Sequence, residues 1–344
     1  MDSDCVLHRL IQAASGFAGK KILVIGDLML DHYLFGQVSR ISPEGPVPVV
    51  RVESERHLLG GAGNVAKNIA ALGASPFLLS ACGDDDPGTV LTRVLDREGI
   101  DSFVVRDPGR PTTIKTRIIA QNQQVARVDR ESNAMVAGEA LAGVKAVLRE
   151  ILPGFGCVII SDYAKGLVTA ELMDCLRTEA ATLSPRPFIM VDPKPANMRL
   201  YAGVDLLTPN VKEAGEMAAA PIAEKGDIIK AGLAIFKKLR CGGLLITLGP
   251  QGIALFEGPG NVKRIPTAAR KVFDVTGAGD SVIAALAVGL ASGLNLLDAC
   301  ALANICAGIV VAQVGAAAAT VDEVAAALRG DAMPEVETWL NMDH

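Results

Sequence analysis

Thr276-Gly277-Ala278-Gly279-Asp280 is the stretch whose residue types most directly suggest chemistry. Small residues precede a carboxylate, and a long apolar run begins at Val282 directly behind them. If that run is a helix, Gly277, Ala278 and Gly279 present backbone N–H groups at its positive end. Such a turn is an anion hole suited to phosphate. Asp280 then sits in the first helical turn, where the helix dipole favours its ionised form. A carboxylate beside an anion hole can orient a hydroxyl and accept its proton as the oxygen attacks phosphorus. Phosphoryl transfer has a loose transition state, so positioning and charge neutralisation dominate and Asp280 is expected to take the proton late. The same residues also suit an ordinary helix cap after packing glycines, and the stretch alone leaves the two readings level. Neither a P-loop nor the protein-kinase signatures occur.

The elements that must position this stretch read as α/β. Lys21–Gly26 is a buried strand, a short apolar run ending at glycine, and Asp27 and Asp31 follow it. From residue 77 strand and helix candidates alternate. Strands are expected at Phe77–Ala81, Cys157–Ser161, Phe188–Val191, Leu206–Thr208 and Leu244–Thr247, with helices such as Thr89–Glu98, Glu139–Ile151 and Thr169–Glu179 between them. This rhythm predicts a mainly parallel sheet covered by helices on both faces. Successive strand ends carry polar residues: Asp162 with Lys165, Asp192 with Lys194, Thr208-Pro209-Asn210 with Glu213, and Thr247 with Gly249. A series of polar strand ends points to one ligand-bearing edge.

Two stretches depart from that rhythm. Val38–Arg56 and Thr112–Arg130 alternate polar and apolar residues, and the first is broken by Pro43, Pro46 and Pro48. They read as exposed strand pairs forming a small sheet that stands off the main domain and covers a site. Between them, Gly61-x-Gly63-x-x-Ala66 matches a dinucleotide fingerprint, with Asp84–Asp86 near the distance of a ribose-binding acid. The fingerprint must follow its strand immediately; here it follows Glu55-Arg56-His57, and the first clear βα junction, at Gly26, lacks it, so a dinucleotide-dependent oxidoreductase is the weaker alternative. Asn64 instead offers an amide at a helix start, suited to sugar hydroxyls.

Composition narrows the class. A chain of 344 residues, half of them hydrophobic, supports one large α/β domain. A formal net charge of −5 argues against nucleic acid or an anionic membrane as the main partner. Seven scattered cysteines without a C-x-x-C suit a reducing, cytoplasmic compartment, and no apolar signal core opens the chain. The four histidines, His8, His32, His57 and His344, show no zinc-ligand spacing. Val282–Leu294 is too short to cross a bilayer and reads as a buried helix. Residues 326–344 read as a polar tail that frays.

Asp274–Asp280 (DVTGAGD) resembles the C-terminal signature of the PfkB/ribokinase family of sugar kinases, and Gly60–Asn64 resembles its N-terminal glycine signature. Gly26–Asp31, Ser39–Pro48, Asn122–Gln124, Ser161–Gly166, Asp192–Lys194 and Thr208–Glu213 are similar, in order, to the branch that phosphorylates a heptose 7-phosphate. The resemblance spans roughly residues 20–325. It implies a ribokinase-like α/β fold, a single kinase domain over 1–344 with a β lid from about 32–57 and 111–130, and a homodimer formed through that lid. It implies MgATP as donor and allows a monovalent cation. Asp280 matches the base and Gly277–Gly279 the anion hole; Asp27, Asp31, Gly60, Gly61, Asn64, Asn68 and Asp162 match the sugar side. Lys194, Asn210, Glu213, Thr247 and Gly249 match the nucleotide side, with Glu213 handling magnesium indirectly. The acceptor implied is the anomeric hydroxyl of a sugar already phosphorylated at position 7, whose phosphate needs cations: Lys115, Arg117, Arg127 and Lys165 are the candidates. Another sugar or sugar-phosphate kinase of the family is the alternative. Two departures stand out: Ser281 where Thr is commoner, and Arg130 in place of an apolar lid residue. No nucleotidyltransferase half follows residue 344, so a separate protein is expected to perform the adenylyl step.

Overall fold

The computed structural model describes residues 3–121, 123–269, 271–313, 315, 317–330 and 335–341. Helix α1 (Ser3–Ala14) leads to strand β1 (Lys21–Gly26). A long hairpin, β2 (Leu28–Ile41) and β3 (Pro48–Gly61), precedes α2 (Ala62–Ala71). Next come β4 (Ser75–Gly83), α3 (Asp86–Arg97) and β5 (Asp101–Asp107), then a second hairpin of β6 (Ile114–Ala120) and β7 (Gln123–Arg130). The chain continues through α4 (Gly138–Ile151), β8 (Cys157–Ser161), α5 (Ala170–Ala181), β9 (Phe188–Asp192), β10 (Leu206–Leu207), α6 (Val211–Ala218) and α7 (Lys225–Leu239). It ends with β11 (Gly243–Thr247), β12 (Ile253–Phe256), β13 (Asn261–Ile265), α8 (Ala278–Ala291), α9 (Leu296–Val311), α10 (Val321–Gly330) and β14 (Glu337–Asn341).

The main sheet has ten strands in the order β14-β13-β12-β11-β10-β9-β8-β1-β4-β5. From β11 to β5 every pairing is parallel, and β12, β13 and β14 extend the other edge antiparallel. Central strands are buried on both faces because their residues alternate between two apolar cores. Ile22 and Val24 of β1 join the core under α2, α3, α8 and α9, while Leu23 and Ile25 join the core under α4, α5, α6 and α7. Helices α8 and α9 are apolar nearly all round and correspondingly buried, α8 packing against α2. The apolar run from Val282 is thus an interior helix, and no described helix is long and apolar enough to cross a membrane.

The second sheet has four strands in the order β3-β2-β6-β7. Its root, Leu28–Leu30 with Leu59–Gly61, is buried, while β7 is exposed along its whole length. The β2–β3 hairpin reaches further into the body than the proline-broken stretch suggested. Asp31, expected just beyond the end of β1, therefore lies inside β2 at the root of this lid. The C-terminal stretch also differs from a frayed tail: α10 runs to Gly330, and Glu337–Asn341 pairs with β13, its Trp339 and Leu340 packing on the second core.

Candidate active site

The parallel sheet places the ends of β8, β9, β10 and β11 side by side, so the polar residues that follow them share one edge. The loop after β8, Asp162–Gly166, is held from below by Asp27. The Asp27 carboxylate accepts hydrogen bonds from the amides of Tyr163 (2.9 Å), Lys165 (3.0 Å) and Leu167 (3.0 Å). Asp162 turns inward and is fully buried, accepting from Tyr201 Oη (2.5 Å), Asn197 Nδ2 (2.8 Å) and the Ala164 amide (2.6 Å). Burial raises its proton affinity above the ordinary carboxylate range, and the Tyr201 hydrogen bond opposes that rise.

Gly277 opens α8 in the left-handed region, at φ 78°. A side chain there would be strained, and its Cβ would come within 2.8 Å of Asn64 Nδ2, so the turn requires glycine. Of the first amides of α8, Ala278 N–H bonds Val275 O and Ser281 N–H bonds Gly277 O. No described backbone acceptor pairs with the amides of Gly279 and Asp280. Gly279 is exposed, so this open turn faces outward as an anion cradle. Asp274 braces the loop before it by accepting from the Thr276 and Gly315 amides.

Asp280 is 5 % exposed. Asn64 Nδ2 donates to its Oδ2 at 2.7 Å and Tyr163 Oη donates to its Oδ1 at 2.7 Å. Burial pushes its carboxyl up to about 6, against those two hydrogen bonds, which favour the ionised form. The group is therefore largely ionised at pH 7 yet poised to take up a proton. Asn64 starts α2 and is itself fixed by neighbours: Asn68 Nδ2 donates to the Asn64 carbonyl, and Ser281 Oγ donates to Asn68 Oδ1 (2.6 Å). Asn64 Oδ1 is buried without a partner and is an open acceptor beside Asp280.

The lid supplies the opposite wall. Asp31 pairs with Arg117 across β2 and β6, Oδ1 to Nη1 at 2.5 Å, both side chains mostly buried. Gly60 gives this carboxylate room, since a Cβ there would lie 2.7 Å from Asp31 Oδ2. Lys115 is half-buried, and its ammonium lies 5.7 Å from the Tyr163 ring centroid. Burial lowers its proton affinity, with Asp31 opposing. From the sheet edge, Lys194 approaches the same ring at 5.3 Å and forms an ion pair with Glu213. Glu213 and Asn210 make a reciprocal capping box at the start of α6, and Asn210 bridges Thr247 at the end of β11. Gly249 begins a short turn immediately beyond.

Tyr163 is thus the point where a lid cation, a sheet-edge cation and the buried carboxylate meet. A lone tyrosine carries no spacing signal in the sequence; the only mark on Tyr163 is its place within the Asp162–Gly166 strand-end motif. Asp192 was also given no role. Burial, then the charges of Asp280 and Glu213, hold its carboxyl well above the ordinary range. Several expected sugar-side residues prove to have internal partners. Asp27 and Asp162 organise the loop around Tyr163 as described. Lys165 Nζ pairs with Glu131 (2.8 Å) and Asn133 (3.0 Å), and exposed Arg127 chelates Asp129. Asn122 lies outside the described residues.

The dinucleotide alternative fails on topology. Gly61 does follow a strand, contrary to the sequence expectation, because β3 continues to that residue. That strand belongs to the lid, however, and β4 after α2 belongs to the main sheet, so no βαβ unit forms. Asp85, the would-be ribose acid, caps α3 and binds the Thr112 amide and hydroxyl.

Comparison with known proteins agrees with this geometry. Residues 19–323 match the model of the pfkB family carbohydrate kinases. The chain is 44% identical over 325 residues to the Bifunctional protein HldE of Trichlorobacter lovleyi, covering 94% of this chain and 65% of that protein. It is 45% identical over 305 residues to the Bifunctional protein HldE of Helicobacter hepaticus, covering 88% and 63%. The chain therefore spans somewhat less than two thirds of these relatives. Among solved structures, Escherichia coli phosphofructokinase-2 in complex with potassium superposes with a TM-score of 0.74 at 19% identity over 90% of this chain and 98% of that one. Arabidopsis thaliana ribokinase complexed with ribose and ATP gives 0.71 at 19% over 91% and 100%. These likenesses establish the fold as ribokinase-like, and with the family match over most of its length, the chain belongs to the pfkB family of carbohydrate kinases.

Proposed function

We propose that this chain transfers the terminal phosphoryl group of MgATP to the anomeric hydroxyl of D-glycero-D-manno-heptose 7-phosphate. The product is the 1,7-bisphosphate, on the route to ADP-heptose for the lipopolysaccharide core. The observation that carries phosphoryl transfer is Asp280, buried at the open N-terminal turn of α8 and held by Asn64 and Tyr163. The heptose assignment rests on the similarity to the two HldE proteins.

In this reading the acceptor hydroxyl lies against Asp280, and the transferred phosphoryl group lies over the Gly279 and Asp280 amides. An anomeric hydroxyl is more acidic than an ordinary alcohol, which suits a base of modest strength. Asp280 orients the oxygen and takes its proton as the bond to phosphorus forms. Asp31 and Asn64, with the open acceptor of the latter, hold sugar hydroxyls. Asp27, Asp162 and Asn68 act through other residues, as positioning groups. Lys194, Asn210, Thr247 and Gly249 hold the nucleotide, and Glu213 serves magnesium indirectly; carboxylate, amide and ammonium groups gathered at one sheet edge fit a magnesium-bound polyphosphate. Of the four candidate cations for the 7-phosphate, Arg117, Arg127 and Lys165 have carboxylate partners, which leaves Lys115 as the one best placed to receive it. The enzyme, on the same proposal, works in the cytoplasm as a dimer, with Val52, Val125 and Val128 on the exposed lid as the apolar contact.

Two variants separate these roles. Lys115→Met is expected to raise KM for the sugar phosphate by roughly 30-fold, the worth of a charge-assisted contact, with kcat changed by less than about threefold. An unchanged KM would remove Lys115 from the phosphate site. Tyr163→Phe deletes one hydrogen bond that favours ionised Asp280. The acid limb of kcat, expected near the Asp280 value of about 6, should then move up by roughly one pH unit. A limb that stays in place would show that Tyr163 does not tune the base.

The reaction itself is tested by phosphorus NMR of protein, MgATP and heptose 7-phosphate. A new anomeric phosphate resonance growing with ADP supports the proposal. ADP formed only with other sugars would retain a sugar kinase and discard the heptose acceptor.

A further inference from the structure

The lid carries a second group of chemically active side chains, on the face turned away from Asp31. His32 and His57 stand directly opposite each other in the β2–β3 register, and Glu55 lies two residues before His57, on the same face of β3. Strand alternation sends Asp31, the neighbour of His32, to the other face. The imidazole rings stack with centroids 4.3 Å apart and planes 19° from parallel. His32 Nε2 lies 2.9 Å from Glu55 Oε2. One ligand atom from each of the three residues lies within 4.8 Å of the other two. Neighbouring ligands on a tetrahedral zinc ion, with bonds near 2.0–2.1 Å, are separated by about 3.3 Å, so small side-chain rotations bring the three to coordinating distance.

We propose that His32, Glu55 and His57 form a binding site for a divalent transition-metal ion of the zinc class, which joins β2 to β3 at the root of the lid. Two imidazoles and one carboxylate suit zinc, copper or nickel rather than magnesium, which prefers oxygen donors. Ligation requires neutral imidazole, so binding is expected to weaken as pH falls below the ordinary imidazole range. Three protein ligands leave a fourth position. Glu55 and His57 border a cavity of about 560 Å³ lined also by Arg56, Val90, Arg93 and Arg97. Arg97 donates to His57 O (3.3 Å) and to Glu98 (3.1 Å). The arginines beside the cavity oppose a bare dication and favour an anionic fourth ligand such as hydroxide or chloride. The thiols of Cys82, Cys157, Cys175, Cys241, Cys300 and Cys306 are buried and do not compete for an added ion. Neither histidine has a place in the phosphoryl-transfer scheme, and this inference does not depend on that scheme.

Metal-free protein, stripped with a chelator, is titrated with Zn2+ against a chromophoric indicator and with Co2+ under visible absorption. One equivalent of Zn2+ is expected to bind with a micromolar dissociation constant, undisturbed by millimolar Mg2+, and Co2+ is expected to give d–d bands of a nitrogen–oxygen site. His32→Ala and His57→Ala should each weaken Zn2+ by roughly 30-fold or more, and Glu55→Gln by less. Zn2+ should raise the melting temperature of the wild type and leave that of His57→Ala unchanged. Circular dichroism checks that each variant folds, and His57→Gln replaces any that does not. Unaltered Zn2+ affinity in the folded histidine variants, a Co2+ spectrum with thiolate charge-transfer bands, or no binding below millimolar Zn2+ would overturn the proposal.

Discussion

Asp280→Asn is expected to lower kcat by about a thousandfold while MgATP binding persists, because it removes the proton acceptor and leaves the anion cradle intact. The same variant should be more stable than the wild type at neutral pH. Burial raises the Asp280 carboxyl from 3.8 to about 6. A carboxyl raised in the folded state contributes stability that is fully present below its unfolded value and is lost as pH rises through its folded value. At pH 7 the wild type therefore carries a buried charge that costs on the order of 2–3 kcal/mol, and the amide variant does not. The substituted amide can still accept from Asn64 and donate to the Tyr163 oxygen. Denaturant unfolding of both proteins from pH 4 to pH 8 checks this. The stability gap should open between pH 4 and pH 7 and then stay level. Unchanged turnover would refute the role of Asp280 as base; a gap independent of pH would refute its raised proton affinity.

The second large effect concerns the lid root. Arg117→Met leaves Asp31 as a mostly buried carboxylate without its 2.5 Å partner. Breaking a buried pair on one side costs roughly 3 kcal/mol, more than the net worth of the pair itself. The double variant Asp31→Asn, Arg117→Met has no unpaired charge and is expected to recover at least half of that loss. If Asp31 holds a sugar hydroxyl as proposed, catalysis should not recover, because the double variant lacks that carboxylate. Unfolding free energies of the wild type, both singles and the double form the cycle that measures the coupling. A coupling near zero would mean that the pair neither closes the lid root nor shapes the sugar side.

Much of the architecture was legible because its signals are local. The apolar runs of β1, β8 and β11 and the helices between them announce a parallel sheet, since a strand buried on both faces must be apolar along its length. Parallel pairing of neighbouring strands puts their carboxyl ends at the same side of the sheet, which is why polar strand ends converge on one edge. The glycines and carboxylate at the start of α8 were readable for a similar reason: a left-handed turn with close backbone approach admits little else than Gly277. The lid was visible as alternation, though its root was misjudged. Prolines suggested an interrupted strand, whereas pairing with β2 carries β3 through to Gly61.

What the sequence could not contain was which side chains are already engaged. Asp27, Asp162, Lys165 and Arg127 look like ligand groups on residue type, and only the fold shows their hydrogen-bond and ion-pair partners. Tyr163 looks like nothing in particular until the loop after β8 brings its hydroxyl to Asp280, 117 residues away. His32 and His57 lack any metal-ligand spacing, yet the hairpin register sets their rings face to face. The sequence by itself determined the elements, the sheet and the glycine turn at the start of α8, because backbone geometry and burial act over a few residues. The tertiary structure decided which of the polar groups remain open to a substrate, because hydrogen-bond satisfaction and desolvation depend on neighbours remote in the chain.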